Sequence, residues 1–419
     1  MEEQTDNIDA AQNNSSNNES LLSQLVYRYQ HINELTLGNL KRGEYLFSTP
    51  FELNDGNEGY PKLVLHGDKE AYLRFSYWVL CGCADSLYRL SAQEVSESSE
   101  KFNRISYKVS QLSSKRPLLV EHFKELLKSA IDDLGFNGEP MLCALIAKLE
   151  KYLLDLLLTD INKRYSTLSF SKSATNPTMW GHYADADKGM VIVHETENNK
   201  VEVELPVPTF LRMSSVNEKI DGGYEIKGLG TSNKGELSLE QVSYRKNRPQ
   251  INLFHWFSNK FFFSESEYHY DYPESFGASQ QPKDHEKFML YKSSSWRYEK
   301  ESRLILGNDF DRLDNVKENR VAVVGGITAV ILGHRITQTN FRRVVSALKI
   351  LVRSDNELTP KSVMVTGLQP DDSKFEYRLR INGKVELENG LARLIPAERL
   401  NKKDMEAVSR LSKRIMSKL

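Results

Sequence analysis

Trp296-Arg297-Tyr298-Glu299-Lys300-Glu301-Ser302-Arg303-Leu304-Ile305 sets two carboxylates two positions apart, with aromatic residues before them and aliphatic residues after. The stretch predicts a strand. Side chains two apart on a strand share a face, so Glu299 and Glu301 are expected to point one way and Lys300 the other. Two carboxylates on one face repel each other. They call for an open cleft, or for neutralisation by Arg28, Lys188, Lys292 or Arg303.

Outward from that stretch the chain alternates between strand and helix signals. Upstream, Thr167 to Ser171 and Gly189 to His194 read as strands, and Pro177 to Tyr183 between them starts like a helix with Pro in its first turn. Leu25 to Tyr29, Thr36 to Lys41 and Tyr45 to Ser48 form a strand, helix, strand opening, followed by a turn with Pro50 and Asn54-Asp55-Gly56. Residues 71–163 are predicted to be a helical insertion, clearest where Leu142, Leu145, Leu149, Leu153 and Leu157 share a face. Downstream, strands are expected at Glu301 to Leu306, Val321 to Val324, Thr328 to Leu332 and Lys349 to Val352. A helix is expected over Asn340 to Leu348, and a strand pair around Val363 and Tyr377.

The class is therefore α+β without the regular alternation of a doubly wound sheet. The domain layout follows from composition. Residues 1–20 are acidic, polar and expected to be disordered. Residues 21–335 form the core, with a second insertion, rich in Gly and aromatics, at about 195–287. Residues 336–419 read as a separate C-terminal module ending in a basic amphipathic helix over Arg399 to Leu419. Within the second insertion, Gly222, Gly223, Gly228 and Gly230 suit the hinges of a lid that Phe261, Phe262 and Phe263 would anchor, or else an ordinary aromatic subdomain.

Composition excludes several classes. Fifty-six Lys and Arg against 57 Asp and Glu leave no basic excess, so any nucleic-acid contact must be local. Three cysteines make no fully paired disulfide framework, no apolar run is long enough for a bilayer, and the polar N-terminus has no secretion core, so the cytoplasm is the expected compartment. There is no phosphate-loop motif, and Gly228-Leu229-Gly230 lacks the third glycine of a dinucleotide fingerprint. The histidines are scattered and no metal site is expected; His269 with Asp271 or His255 is a spacing that surface positions produce as readily. Glu225 and Lys227 make a nuclease-like acid-x-Lys pair in a polar stretch, where a solvated pair is the plainer reading.

Three blocks remain. They are Tyr27-Arg28-Tyr29 with Leu46-Phe47-Ser48-Thr49-Pro50; Leu168-Ser169-Phe170-Ser171 with Met179-Trp180-Gly181-His182-Tyr183-Ala184 and Lys188-Gly189; and Tyr291-Lys292 with the Glu299–Glu301 stretch. In this order they resemble the bacterial family known as domain of unknown function 2971, over Leu25 to about Arg335. The turn departs from the family's Asn-Asp-Pro-Phe-Glu, reading Asn54-Asp55-Gly56-Asn57-Glu58. The Glu-x-Glu stretch, a basic residue on the first strand and a serine on a middle strand also resemble the three-part active site of ADP-ribosyltransferases. Asn176-Pro177-Thr178-Met179 and Tyr183 are similar to a segment of the DNA-modifying toxins of that kind.

The resemblance implies a split, strongly curved sheet and NAD as substrate. It implies catalytic roles for Glu301, Glu299, His182 and Ser171, and cofactor contacts from Arg28, Tyr29, Ser169, Trp180, Tyr183 and Lys292. Arg28, Ser171, His182, Glu299 and Glu301 are then expected to converge on one cleft. Bacterial anti-phage defence or a toxin system is the implied setting, with a protein or nucleic-acid acceptor and a regulatory partner or phage trigger. A non-catalytic sensor, or a hydrolase or nuclease, is the alternative. Met179, Trp180 and Tyr183 at helical spacing equally suit a core, and Glu299, Glu301 and Arg303 an ion-pair ladder.

Overall fold

The computed structural model describes residues 23–416 apart from 57, 59, 89–91, 114–115, 137, 207–209, 214–215, 219–223, 227–228, 258–285, 308–319 and 374–376. The acidic tail lies outside the described residues, as do Phe261 to Phe263, Gly222, Gly223 and Gly228 of the expected lid.

Twelve strands make one sheet. In chain order they are β1 (Ser23–Gln30), β2 (Glu44–Leu46), β3 (Tyr165–Ser171), β4 (Met190–Glu197), β5 (Lys200–Glu204), β6 (Lys234–Gln241), β7 (Glu301–Gly307), β8 (Val321–Val324), β9 (Ile327–Leu332), β10 (Ser362–Pro370), β11 (Tyr377–Glu388) and β12 (Leu391–Pro396). Their spatial order is β2-β8-β5-β6-β7-β3-β1-β4-β9-β10-β11-β12, and every pairing is antiparallel except β9 with β10. Asn198 and Asn199 both take positive φ, the conformation that a tight two-residue hairpin demands, so β4 returns directly as β5 with Glu197 opposite Lys200. Since β5 also belongs to the far side of the sheet, this hairpin curls the sheet back on itself.

One junction is weak. β1 pairs with β4 along its whole length, from Ser23 opposite Glu197 to Gln30 opposite Met190, but meets β3 only at Tyr27 opposite Ser171. Past that point β1 and β3 separate, and the freed edge of β3 is taken by Ser48, whose N–H and C=O exchange hydrogen bonds of 2.8 and 2.7 Å with Thr167.

Helices α1 (Glu34–Arg42), α6 (Pro177–Tyr183), α7 (Gln338–Leu351) and α8 (Lys402–Met416) pack on the sheet, while α2 (Lys69–Tyr88), α3 (Ala92–Leu112), α4 (Val120–Asp133) and α5 (Pro140–Arg164) form the expected helical insertion. The leucine face of α5 joins Phe75, Phe102 and Phe123 in a core of its own. Val26, Phe170, Ile192 and the α7 residues Val344 and Leu348 form the core on one face of the sheet; Tyr27, Tyr29, Val193 and Trp180 form that on the other. Among the described residues no helix is long and apolar enough to cross a membrane.

Two expectations need correction. Lys349 to Val352 is not a strand: α7 runs through Leu351, because Val344, Ala347, Leu348 and Leu351 complete a buried helical face. Residues 336–419 are not a separate layer either, since β9 pairs with β10 across Ile336 and the two ends share one core.

Candidate functional site

The opening between β1 and β3 is a cleft of about 250 Å³. Tyr29, Arg28 and Tyr27 line it from β1; Ser169 and Ser171 from β3; Glu301 and Arg303 from β7; and Tyr183, Lys292 and Glu299 from nearby segments. By register Tyr27, Ser171 and Glu301 share a face of the sheet, and Arg28 belongs to the other. Its guanidinium enters the cleft because the ladder is open there: Nη1 donates to the Ser169 carbonyl at 2.7 Å. Nε of Arg28 is buried with no hydrogen-bond partner among the described residues. Burial pushes the Arg28 guanidinium below its ordinary range, with Tyr45 and Glu301 opposing.

The Glu299–Glu301 stretch is not one strand. Ser294–Glu299 is a 3-10 helix capped by the Ser293 side chain, Lys300 turns into the left-handed region at φ 47°, and β7 begins at Glu301. The two carboxylates converge because of that turn, not through strand parity.

Lys292 joins them. Its Nζ lies 2.7 Å from Glu299, 3.2 Å from Glu301 and 3.5 Å from Glu58. Arg303, two residues along β7 and therefore on the same face as Glu301, grips that carboxylate with Nε at 2.7 Å and Nη2 at 3.0 Å, and also pairs with Glu58. All five side chains are buried. Three carboxylates thus face two cations, a surplus of one negative charge that either a proton or the neighbouring Arg28 must answer.

The environments of the two glutamates diverge. Burial opposes charge on Glu301, but Arg303 and Lys292 outweigh it and hold the carboxyl down to about 2. At Glu299 burial wins over Lys292 and the Tyr183 hydroxyl, and the carboxyl is raised. Burial likewise opposes charge on Lys292 and is outweighed by Glu301, Glu58 and Glu299. The same surroundings thus push the two carboxyls in opposite directions, Glu301 down and Glu299 up.

The remaining expected residues divide. The Tyr183 hydroxyl donates to Glu299 at 2.5 Å and accepts from Asn54 at 2.6 Å, so it ties the turn to the cluster. Ser171 donates to the Glu299 carbonyl at 2.6 Å; it holds the backbone and offers no hydrogen to a ligand. Tyr29 donates to the Ser173 carbonyl. Trp180 is fully buried against Tyr29, with its indole N–H on the Ala174 carbonyl, so it has no face to stack on a ligand and belongs to the core. His182 is exposed, hydrogen-bonded through Nδ1 to Tyr298, and lies outside the cleft wall. Lys188 is exposed at the surface.

Asn176 explains why α6 sits where it does. Its side-chain oxygen caps the helix by accepting from Thr178 N–H while its amide donates to the Tyr298 carbonyl, and Pro177 supplies the preset first turn. Sequence reading missed Glu58, which closes the turn just after Gly56 and Asn57, the two positions where it departs from the resembled family. It also missed Tyr244, whose hydroxyl accepts from Glu301 N–H at 2.7 Å and whose ionisation burial pushes up to about 12.

Among the described residues no group of three His, Cys, Asp or Glu side chains is placed to hold a metal ion. His269 and Asp271 lie outside them, as does Lys227 of the acid-x-Lys pair. No family model, curated protein or solved structure matches the chain.

Proposed function

We propose that the chain is an NAD-consuming enzyme of the ADP-ribosyltransferase kind, with its reaction centre in the opening between β1 and β3. The observation that carries this reading is the charge layout of that opening: a guanidinium with an unused buried N–H on one side, and a carboxylate cluster with one surplus negative charge on the other. NAD has the complementary layout, a cationic nicotinamide and an anionic pyrophosphate. A cleft of about 250 Å³ is below the usual range for drug-sized ligands, so it suits the nicotinamide riboside end, with the rest of the dinucleotide outside.

In this reading the bond from ribose C1′ to the nicotinamide nitrogen breaks, and its electron pair leaves on nicotinamide. Positive charge develops on the ribose beside Glu301, which stays ionised throughout. The acceptor's lone pair closes on C1′, and its proton passes to Glu299, whose raised carboxyl makes it the better base. Arg28 holds phosphate, and Tyr183 and Lys292 fix the orientation of Glu299. The adjacency β7-β3-β1, which brings the three resembled blocks side by side, supports the same reading.

One observation favours a second reading. Glu301 is only 5% exposed and both of its oxygens are taken by Arg303 and Lys292, the arrangement expected of a ligand-binding module that does no chemistry. Nicotinamide released from NAD by the purified protein, read by chromatography, separates the two. The enzyme reading expects release by the wild type and at least about a hundredfold less from Glu299→Gln, as for loss of a general base. Saturable NAD binding with no release by the wild type overturns it in favour of the binding module.

A further inference from the structure

The wall that β3 gives to the cleft changes character along its length. Ser171 sits opposite Glu301 and Tyr27, Arg28 reaches the Ser169 carbonyl, and Thr167 is bonded to Ser48, which leads into the 3-10 turn Pro50–Glu52. From Ser171 to Thr167 is about 13 Å at about 3.3 Å per strand residue. Over that length the lining passes from the Glu299 and Glu301 carboxylates to the Arg28 guanidinium and then to the Glu52 carboxylate.

Glu52 is built as a fixed anion. Nη1 and Nη2 of Arg320 donate to its two oxygens at 2.6 and 3.1 Å, and Thr49 N–H donates to Oε2 at 2.9 Å. Arg320 is itself buried, and its Nη1 also donates to the Phe47 carbonyl at 2.7 Å, so the fork is anchored to the strand side of the turn. The Arg320 fork outweighs burial and holds the Glu52 carboxyl down to about 2. With Arg320 buried and the Glu52 side chain 41% exposed, what a ligand meets there is an acceptor with lone pairs to spare and no hydrogen to donate.

A dinucleotide carries its groups in the matching order: sugar, pyrophosphate, sugar. We propose that Glu52 is a specificity-determining residue that accepts from the adenosine 2′-hydroxyl and so selects NAD over NADP, whose 2′-oxygen carries phosphate. The inference rests on the NAD reading of the cleft. A ribose hydroxyl donates to the carboxylate, whereas a 2′-phosphate brings negative charge against it.

The test is calorimetric affinity for three ligands: NAD, NADP, and NAD lacking the adenosine 2′-hydroxyl. The wild type is expected to bind NAD at least about tenfold more tightly than either analogue, as for loss of a hydrogen bond to a charged group. In Glu52→Gln, whose amide oxygen still accepts from Arg320, both gaps should narrow to within about threefold. Glu52→Asp keeps the charge but withdraws it by one methylene, and should narrow the gap to the deoxy analogue in the same way. A residue that merely held the turn would lower all three affinities together and leave their ratios unchanged. Unchanged ratios in the folded variants, or wild-type affinities for NAD and NADP within about twofold of each other, overturn this inference and leave the NAD reading standing. No binding of any of the three by the wild type overturns the NAD reading and this inference with it.

Discussion

The two edges of β1 are built on opposite principles. Toward β4 it is hydrogen-bonded from end to end, and the neighbouring residues Val191, Ile192 and Val193 are buried and apolar. Toward β3 it is bonded at one position, and the neighbouring groups are serines, an arginine and a cluster of buried ions. A ladder left open inside a protein exposes backbone groups that need partners. Here Ser48 and the Arg28 side chain supply them, and what remains is a polar cleft. The paired edge is held by packing, the open edge by charge balance, and the two should respond differently to substitution and to acid.

The largest effect should come from the charge-balanced side. Arg303→Leu leaves Glu58 and Glu301 buried without their main cation and is expected to cost about 3–5 kcal/mol, read by denaturant unfolding. A loss under about 1 kcal/mol would mean the cluster is solvated and the contrast between the edges false.

Acid sharpens the comparison next. His194, opposite Val26 on the paired edge, is wholly buried between Tyr45 and the Gly325 carbonyl, and burial holds it down to about 4. The folded state thus keeps His194 neutral where the unfolded chain protonates it. Its contribution is complete above about 6.5 and is lost as pH falls toward 4, about 3 kcal/mol in all. Glu301, held down to about 2, loses its contribution in a lower window, as pH falls from its ordinary value of 4.5. Stability measured against pH should therefore decline in two steps, and His194→Gln should remove the upper one alone. A single step below 4.5 in the wild type would contradict this.

A smaller effect belongs to packing. Ile192→Val on the paired edge should cost about 0.5–1.5 kcal/mol and leave NAD binding unaltered. Altered binding there would show that the two edges are coupled.

The legible parts of the molecule are those that local chemistry specifies. Pro177 to Tyr183 was readable as a helix because Asn176 and Pro177 mark its start, and the leucine face of α5 because its period is long. The strands bearing Arg28, Ser169, Ser171 and Glu301 were legible from alternation, but nothing in alternation says which strands pair, so the opening between β1 and β3 was not. Lys300 misleads for a physical reason: a positive φ is announced by Gly or Asn, and a lysine carries no such signal. Lys292 and Arg303 were visible as neutralising candidates. Glu58, which completes the cluster from a turn far away in sequence, was not.

The most direct measurement is NAD affinity of Arg28→Ala beside its unfolding free energy. Arg28 donates to the Ser169 carbonyl and its Nε has no hydrogen-bond partner among the described residues, so the substitution should cost about 1–3 kcal/mol, the loss of that carbonyl's donor. If the open edge is the NAD site, calorimetric affinity should fall at least about tenfold, the loss of a charged hydrogen bond to phosphate. Undiminished NAD affinity in a folded Arg28→Ala protein would contradict the assignment.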